Sequence, residues 1–302
     1  MTAVAPRPGA VRERRRRQLD LGLRAAFVVV LVVFTLFRPT NAGDAHAYWA
    51  VNLADPYTRP IATPDAFTYP PPAAIFFAAL GKLPFEVFQA IWTLLIGFAL
   101  LWLTGPWALL FLVIPVVASD LYLGNIHVLL GAAIVASLRW PAMWAMPLLT
   151  KPTCGVGLLW FVARGEWRRL ATALATTAVL AGLSAVIAPD LWPKWIAYVL
   201  DTGVSPNVGT AYWIALPLLI RLPAAALLVI WGARTNRPWT LPTASMLALP
   251  VLWLVGLAML TAAFGVSAWG PLRDFGRRWS GSIAARRPTP LPSPAPENDA
   301  HP

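Results

Sequence analysis

Four stretches of this chain, residues 87–119, 121–138, 170–189 and 238–272, contain no Asp, Glu, Lys or Arg. About 20 apolar residues span a bilayer as a helix, so a chain with several such runs cannot leave them all in water. Composition agrees: of 302 residues, 58% are hydrophobic and only 12% charged, and the mean hydropathy is +0.62, too oily for an ordinary soluble fold. The chain reads as a polytopic membrane protein, an all-α bundle of about eight to ten membrane helices, some of them short or re-entrant.

The same numbers remove other classes. The single cysteine, Cys154, excludes an intramolecular disulfide framework, and three His with one Cys give no zinc-ligand pattern. No metal site and no bound cofactor is therefore expected. The net charge of +11 could suggest nucleic acid, but the positive residues stand at the ends of apolar runs rather than in one patch. That distribution sets orientation in a membrane and predicts no nucleic-acid partner.

Residues 1–20 form a basic segment with Arg7, Arg12 and Arg14 to Arg17, followed by Arg24 and an apolar stretch over 25–37. A basic flank before an apolar helix places the N-terminus in the cytoplasm. Phe37, Arg38, Pro39 and Thr40 make a poor cleavage site, so an anchor is expected rather than a removed signal peptide. The membrane domain then covers 21–265, with polar outer loops over 38–72 and 189–210. Pro70, Pro71 and Pro72 suit a helix start, residues 73–80 head back inward, and Lys82 marks the inner end.

Further helices are expected over 86–104, 107–119, 121–138, 141–150, 152–163, 169–188, 211–231 and 243–264. The pieces 141–150 and 152–163 are too short to cross. Arg139 on one flank and Arg164, Arg168 and Arg169 on the other suggest a hairpin turning at Lys151, tolerated only where it lines a cavity. A full crossing by 243–264 would leave the arginines of the tail, 266–302, outside, a parity conflict. The tail is basic and then Pro-rich, and reads as disordered.

Gly43-Asp44-Ala45-His46-Ala47-Tyr48 is the most informative segment. If a helix begins there, with Asn41 or Asp44 as its cap, Asp44 and Tyr48 share one face; a plain helix cap in a solvated loop explains the same spacing. Asp120, Tyr122 and Asn125 stand at a helix junction where polar side chains could bind sugar hydroxyls or only cap. His46 and His127, singly placed, read first as hydrogen-bonded structural residues.

Taken in order, Asp44 after the first span, the step Phe67-Thr68-Tyr69-Pro70-Pro71-Pro72, the start at Gly124-Asn125, the break at Lys151-Pro152 and the basic turn 164–169 resemble glycosyltransferase family 87. The resemblance covers roughly residues 20–235. It implies a polytopic bundle of the GT-C type and a polyprenyl-phosphate sugar, typically mannose, as donor substrate. It also implies that Asp44 is the base that takes the acceptor hydroxyl proton. Because the departing phosphate needs positive charge rather than a second acid, Lys151 is the candidate for its partner. Lys194 and Arg221 are weaker alternatives that read first as interfacial anchors near Trp192, Trp195 and Trp213. Tyr48, Tyr69, Asn125 and His46 complete the site as candidate substrate-binding residues. The apolar segment 248–265 has no His and departs from the later part of the family pattern.

The expected function is transfer of a hexose, with mannose the best assignment, from a polyprenyl phosphate to a lipid or glycan acceptor on the extracytoplasmic side of the cell membrane. The competing readings are a non-enzymatic polyprenyl-lipid binding protein or transporter, in which Lys151 and the broken helices line a path for an anionic lipid, and a family member that has lost its chemistry.

Overall fold

Proline and glycine punctuation decides where the helices of this chain stop. The computed structural model describes residues 8–40, 43–61, 63–202 and 214–268, and among these it holds helices and no strand. Asn41, Trp213 and the tail beyond residue 268 lie outside the described residues. Helix α1 (Pro8–Phe37) has 30 residues, about 45 Å at 1.5 Å per residue. That exceeds the hydrocarbon thickness, so its arginine-rich start extends beyond the apolar layer. The short α2 (Asp44–Trp49) follows.

Helix α3 (Pro71–Leu80) starts with proline at its first position, where the missing N–H costs nothing. Its 10 residues reach only about 15 Å, so the crossing expected over 73–80 does not occur. Gly81, just past its end, lies against the Trp49 backbone, and the Trp49 indole donates to the Leu83 carbonyl at 2.8 Å. Lys82 therefore stands at the same end of the bundle as α2, not at the opposite one.

Helix α4 (Phe85–Thr104) is long enough to cross, and α5 (Ala108–Leu112) continues it. Next come α6 (Pro115–Leu123) and α7 (His127–Ser137), bent by 101°, where the sequence suggests one helix over 121–138. Gly124 ends α6 in the left-handed region at φ 68°. The Asn125 N–H returns to the Asp120 carbonyl at 2.8 Å, closing the six-residue loop of a Schellman cap.

Residues 141–163 rise and return as a broken hairpin: a 3-10 turn Pro141–Trp144, α8 (Ala145–Leu148), a corner at Lys151, a 3-10 stretch Pro152–Leu158 and α9 (Leu159–Ala163). Its two feet meet. Arg169 donates to the Leu138 carbonyl, and Arg164 and Arg169 grip the buried Glu166 at 2.7 and 3.0 Å. The chain crosses back along α10 (Trp167–Ile187). The expected outer loop 189–210 instead carries a helix, α11 (Leu191–Thr202), bound to the first polar segment through Lys194 on the Ala54 carbonyl and Trp195 on the Thr68 carbonyl.

Helix α12 (Leu218–Thr235) precedes α13 (Thr240–Leu247), and a 3-10 stretch Leu254–Met259 runs into α14 (Leu260–Ala268). The single crossing expected over 243–264 is thus a second hairpin with its corner at 248–253. Arg221 of α12 makes this corner tolerable. Its guanidinium donates to the carbonyls of Leu216, Leu247, Leu249 and Pro250 at 2.6, 2.6, 2.7 and 3.1 Å, so the carbonyls freed by the break are not left bare. The returning limb runs parallel to α7, with Gly256 near His127 and Ala262 near Gly131. Ala268 therefore emerges at the end where Arg169 meets Leu138, which removes the parity conflict.

Among the described residues four stretches are long and apolar enough to cross a membrane, Arg12–Phe37, Phe85–Leu112, Trp167–Ile187 and Leu218–Thr235, or five if the bent pair α6–α7 counts as one span. The expected membrane helices, some short or re-entrant, are these spans together with the hairpins and short helices into which the other apolar runs are broken.

Candidate functional site

The segments 43–45 and 123–125 pack back to back. A side chain on Gly43 would begin 2.7 Å from the Leu123 carbonyl oxygen, and one on Gly124 would begin 2.6 Å from the Ala45 Cβ. Asp44 is the first residue of α2, with Gly43 at the N-cap position. Its Oδ2 accepts a hydrogen bond from Asn125 Nδ2 at 2.7 Å. The Asn125 Oδ1 accepts from the Ile126 N–H at 2.7 Å and from the Tyr48 hydroxyl at 3.4 Å, which fixes the amide with its nitrogen toward the carboxylate. Gly124→Ala forces a left-handed backbone on a residue with a Cβ and pushes it into Ala45. A loss of about 1–3 kcal/mol is expected, read as a lower thermal midpoint in detergent.

Tyr48 lies one helical turn after Asp44, and its hydroxyl is 2.9 Å from that of Tyr69. Phe77 stacks on Tyr48 at 4.7 Å and Trp92 meets its edge at 5.8 Å. The Lys151 ammonium lies over the Tyr69 ring, 5.2 Å from its centroid, within cation–π range. Among the described residues no carboxylate lies within ion-pair distance of Lys151. Asp44, Asn125, Tyr48, Tyr69 and Lys151 thus form one continuous cluster drawn from four parts of the chain.

Burial pushes the Asp44 carboxyl up from the ordinary carboxylate range; the charges of His127 and Lys151 and the Asn125 hydrogen bond oppose that, while Asp120 adds to it. A half-buried acid that holds its proton more tightly than usual is a stronger base once ionised. Facing it across the cluster is a cation without a counter-ion, a feature that by default marks a functional site in a membrane protein.

Other candidates have different partners. His46 is turned to Asp65, with Nδ1 2.6 Å from Oδ1, and its ring lies against Trp49 and Phe85. Lys194 and Arg221 are spent on backbone carbonyls. Asp120 does cap α7, accepting from the Val128 N–H at 3.0 Å, but it also contacts the buried His127. Arg38, which the sequence offers only as a loop charge, is buried and donates to Thr93 Oγ1 at 2.7 Å and to the Leu121 and Tyr122 carbonyls. A cation at those carbonyls suits the C-terminal end of α6. Its position directly after a long apolar run was the one available signal. Among the described residues no group of three His, Cys, Asp or Glu could hold a metal ion.

Below the cluster runs an apolar groove of about 1480 Å³ between α3, α4, α7, α8 and α10. That exceeds the roughly 300–1,000 Å³ of ordinary small-ligand pockets. Pro72, Phe77, Trp92, Ile126 and Thr150 line it where it adjoins the cluster, and Trp140 and Arg24 line the far end. Small residues on α7, Ala132, Ala133 and Ala136, leave the space open. Nothing in the hydropathy of the sequence marks this groove, because its walls read as ordinary apolar helix.

The sequence model of glycosyltransferase family 87 matches residues 67–285. The match contains Tyr69, Asn125 and Lys151 and begins after Asp44 and Tyr48. No curated protein matches the chain, and no solved structure matches it either.

Proposed function

The chain belongs to glycosyltransferase family 87, and from that premise we propose that this membrane glycosyltransferase moves a hexose, with mannose the best assignment, from a polyprenyl phosphate to a hydroxyl of a lipid or glycan acceptor. The observation that carries this reading is the pairing of a hydrogen-bonded carboxylate, Asp44, with an uncompensated ammonium, Lys151, beside an apolar groove too large for a small polar substrate. The groove suits an isoprenoid tail, and Lys151 suits the phosphate at its head.

In the transfer step Asp44 removes the acceptor hydroxyl proton as that oxygen bonds to the anomeric carbon. The bond from that carbon to the phosphate oxygen breaks on the opposite side, so the configuration inverts. The electron pair leaves with the phosphate, whose added charge Lys151 neutralises. Asn125 keeps the carboxylate aimed, and Tyr48 and Tyr69 offer hydroxyls to the sugar.

Orientation follows from charge. The start of α1, Arg139, the 164–169 turn, Arg234 and Arg237 gather at one end, while Asp44, Asp55, Asp65 and Asp190 stand toward the other. The positive-inside rule assigns the basic end to the cytoplasm, which leaves the cluster on the extracytoplasmic face of the cell membrane.

The test is transfer of labelled mannose from a polyprenyl phosphate in proteoliposomes supplied with an extract of membrane lipids and glycans. Appearance of a labelled product with inverted anomeric configuration supports the proposal; donor left intact by the wild-type protein overturns it. The tail assignment has its own test. Ala136→Trp narrows the far end of the groove, so the KM for a long-chain donor is expected to rise at least about tenfold, roughly 1.4 kcal/mol of binding. A donor truncated to a few isoprene units should be unaffected.

A further inference from the structure

Asp120 and His127 are 0% and 1% exposed, with Asp120 Oδ1 3.0 Å from His127 Nδ1. The other carboxylate oxygen accepts the Val128 N–H at 3.0 Å, and the Asp120 carbonyl accepts the Asn125 N–H at 2.8 Å. Asp120 thus ties the 101° corner between α6 and α7 at three points. The residue enclosed by those ties is Asn125, whose amide reaches Asp44. A helix cap requires only the Val128 bond, so the imidazole is an addition that capping does not explain.

Its far nitrogen, Nε2, is buried and has no hydrogen-bond partner, a costly state for a polar atom. The other groups around Asp44 are accounted for. On its own helix His46 is turned to Asp65 and Tyr48 is bonded to Tyr69. Lys151 stands over Tyr69, and Arg38, at the end of α1, is engaged with α6 carbonyls.

Resting on the assignment of Asp44 as general base, we propose that Asp120 and His127 are positioning residues for it: together they hold the corner that presents Asn125 to the carboxylate. Neither residue touches substrate. The pair is a fixed support whose effect is read in the turnover step and its pH dependence rather than in donor binding.

The experiment measures the rate of labelled mannose transfer against pH in proteoliposomes, with polyprenyl-phosphate mannose as donor. It uses the wild type, Asp44→Asn and two further variants. His127→Leu removes the N–H held against Asp120, and His127→Asn restores one near the place of Nδ1. For the Leu variant kcat is expected to fall by up to about a hundredfold, the size of a one-ångström misplacement, with the donor KM little changed, and the Asn variant is expected to recover most of it. An Asn125 amide that drifts from Asp44 no longer favours the carboxylate, so in the Leu variant Asp44 holds its proton to higher pH and the acid limb moves upward. If Asp44→Asn still transfers sugar, the base assignment fails and the proposal with it. If Asp44→Asn is inactive but His127→Leu keeps the wild-type limb and kcat, or His127→Asn recovers nothing, this inference alone is overturned.

Discussion

Asp44→Asn is expected to lower kcat for sugar transfer by roughly 10²- to 10⁴-fold, the contribution of a general base, with the KM for the lipid donor nearly unchanged. The substitution keeps size and shape, and an amide oxygen at this position can still accept the Asn125 N–H that now reaches the carboxylate. The loss would therefore belong to the proton-transfer step. Folding should not suffer. Burial raises the carboxyl above its ordinary value, so the folded state binds that proton more tightly than the unfolded chain does. Its contribution to stability is full at low pH and is lost as pH rises through the raised value. An Asn has no such loss, so at neutral pH the variant should melt no lower than the wild type. With Asp44 as the base, the same shift would put the acid limb of the wild-type pH–rate profile above the usual carboxylate range. Full-rate transfer by Asp44→Asn would refute the mechanism.

Lys151→Gln carries the second large effect. Removing the ammonium takes charge from both the bound phosphate and the leaving phosphate, so kcat/KM for the donor is expected to fall about 10²- to 10³-fold, as on removal of one charge-stabilising donor. The acceptor KM should stay near its wild-type value. Lys151→Arg keeps the charge but trades a compact ammonium for a planar fork, and only partial recovery is expected. Lys194→Gln is the control: that ammonium is held by the Ala54 carbonyl on the opposite polar segment, and the rate should remain close to wild type. Equal loss in the Lys194 and Lys151 variants would mean that the effect is one of general surface charge.

The residues of the cluster were legible because each breaks the apolar monotony around it. Asp44, Asn125 and Lys151 sit where a helix starts or stops, and charge or amide at such a place has to be accounted for. Tyr48 followed from the four-residue spacing to Asp44. His46 shows where that style of reasoning runs out: two residues along a helix is nearly the opposite face, and its ring is given to Asp65 and Phe85 instead. Asp120 and His127 were visible as polar residues, but their joint burial was not, since it depends on the left-handed Gly124 folding α7 back over α6.

The fold was legible to the level of class and of the longest spans. The corner at 248–253 escaped because Ala248, Val251, Leu252 and Trp253 look like the middle of a span, and the residue that permits the break, Arg221, lies in a different helix. Helix α3 looks like a crossing on hydropathy, although its 10 residues are too few for one.

The groove beneath the cluster has one further consequence. Several of its wall residues, Phe76, Phe98, Leu183 and Ile187, are 54, 48, 53 and 64% exposed, so its flank lies open to the surrounding lipid tails. Under the proposed function a long-chain donor would slide in from the side and its spent carrier would drift out by the same route, with no helix pair parting at each cycle. Turnover would then track the fluidity of the host bilayer, and detergent chains, free to occupy the same slot, would act as competitors once the enzyme is extracted.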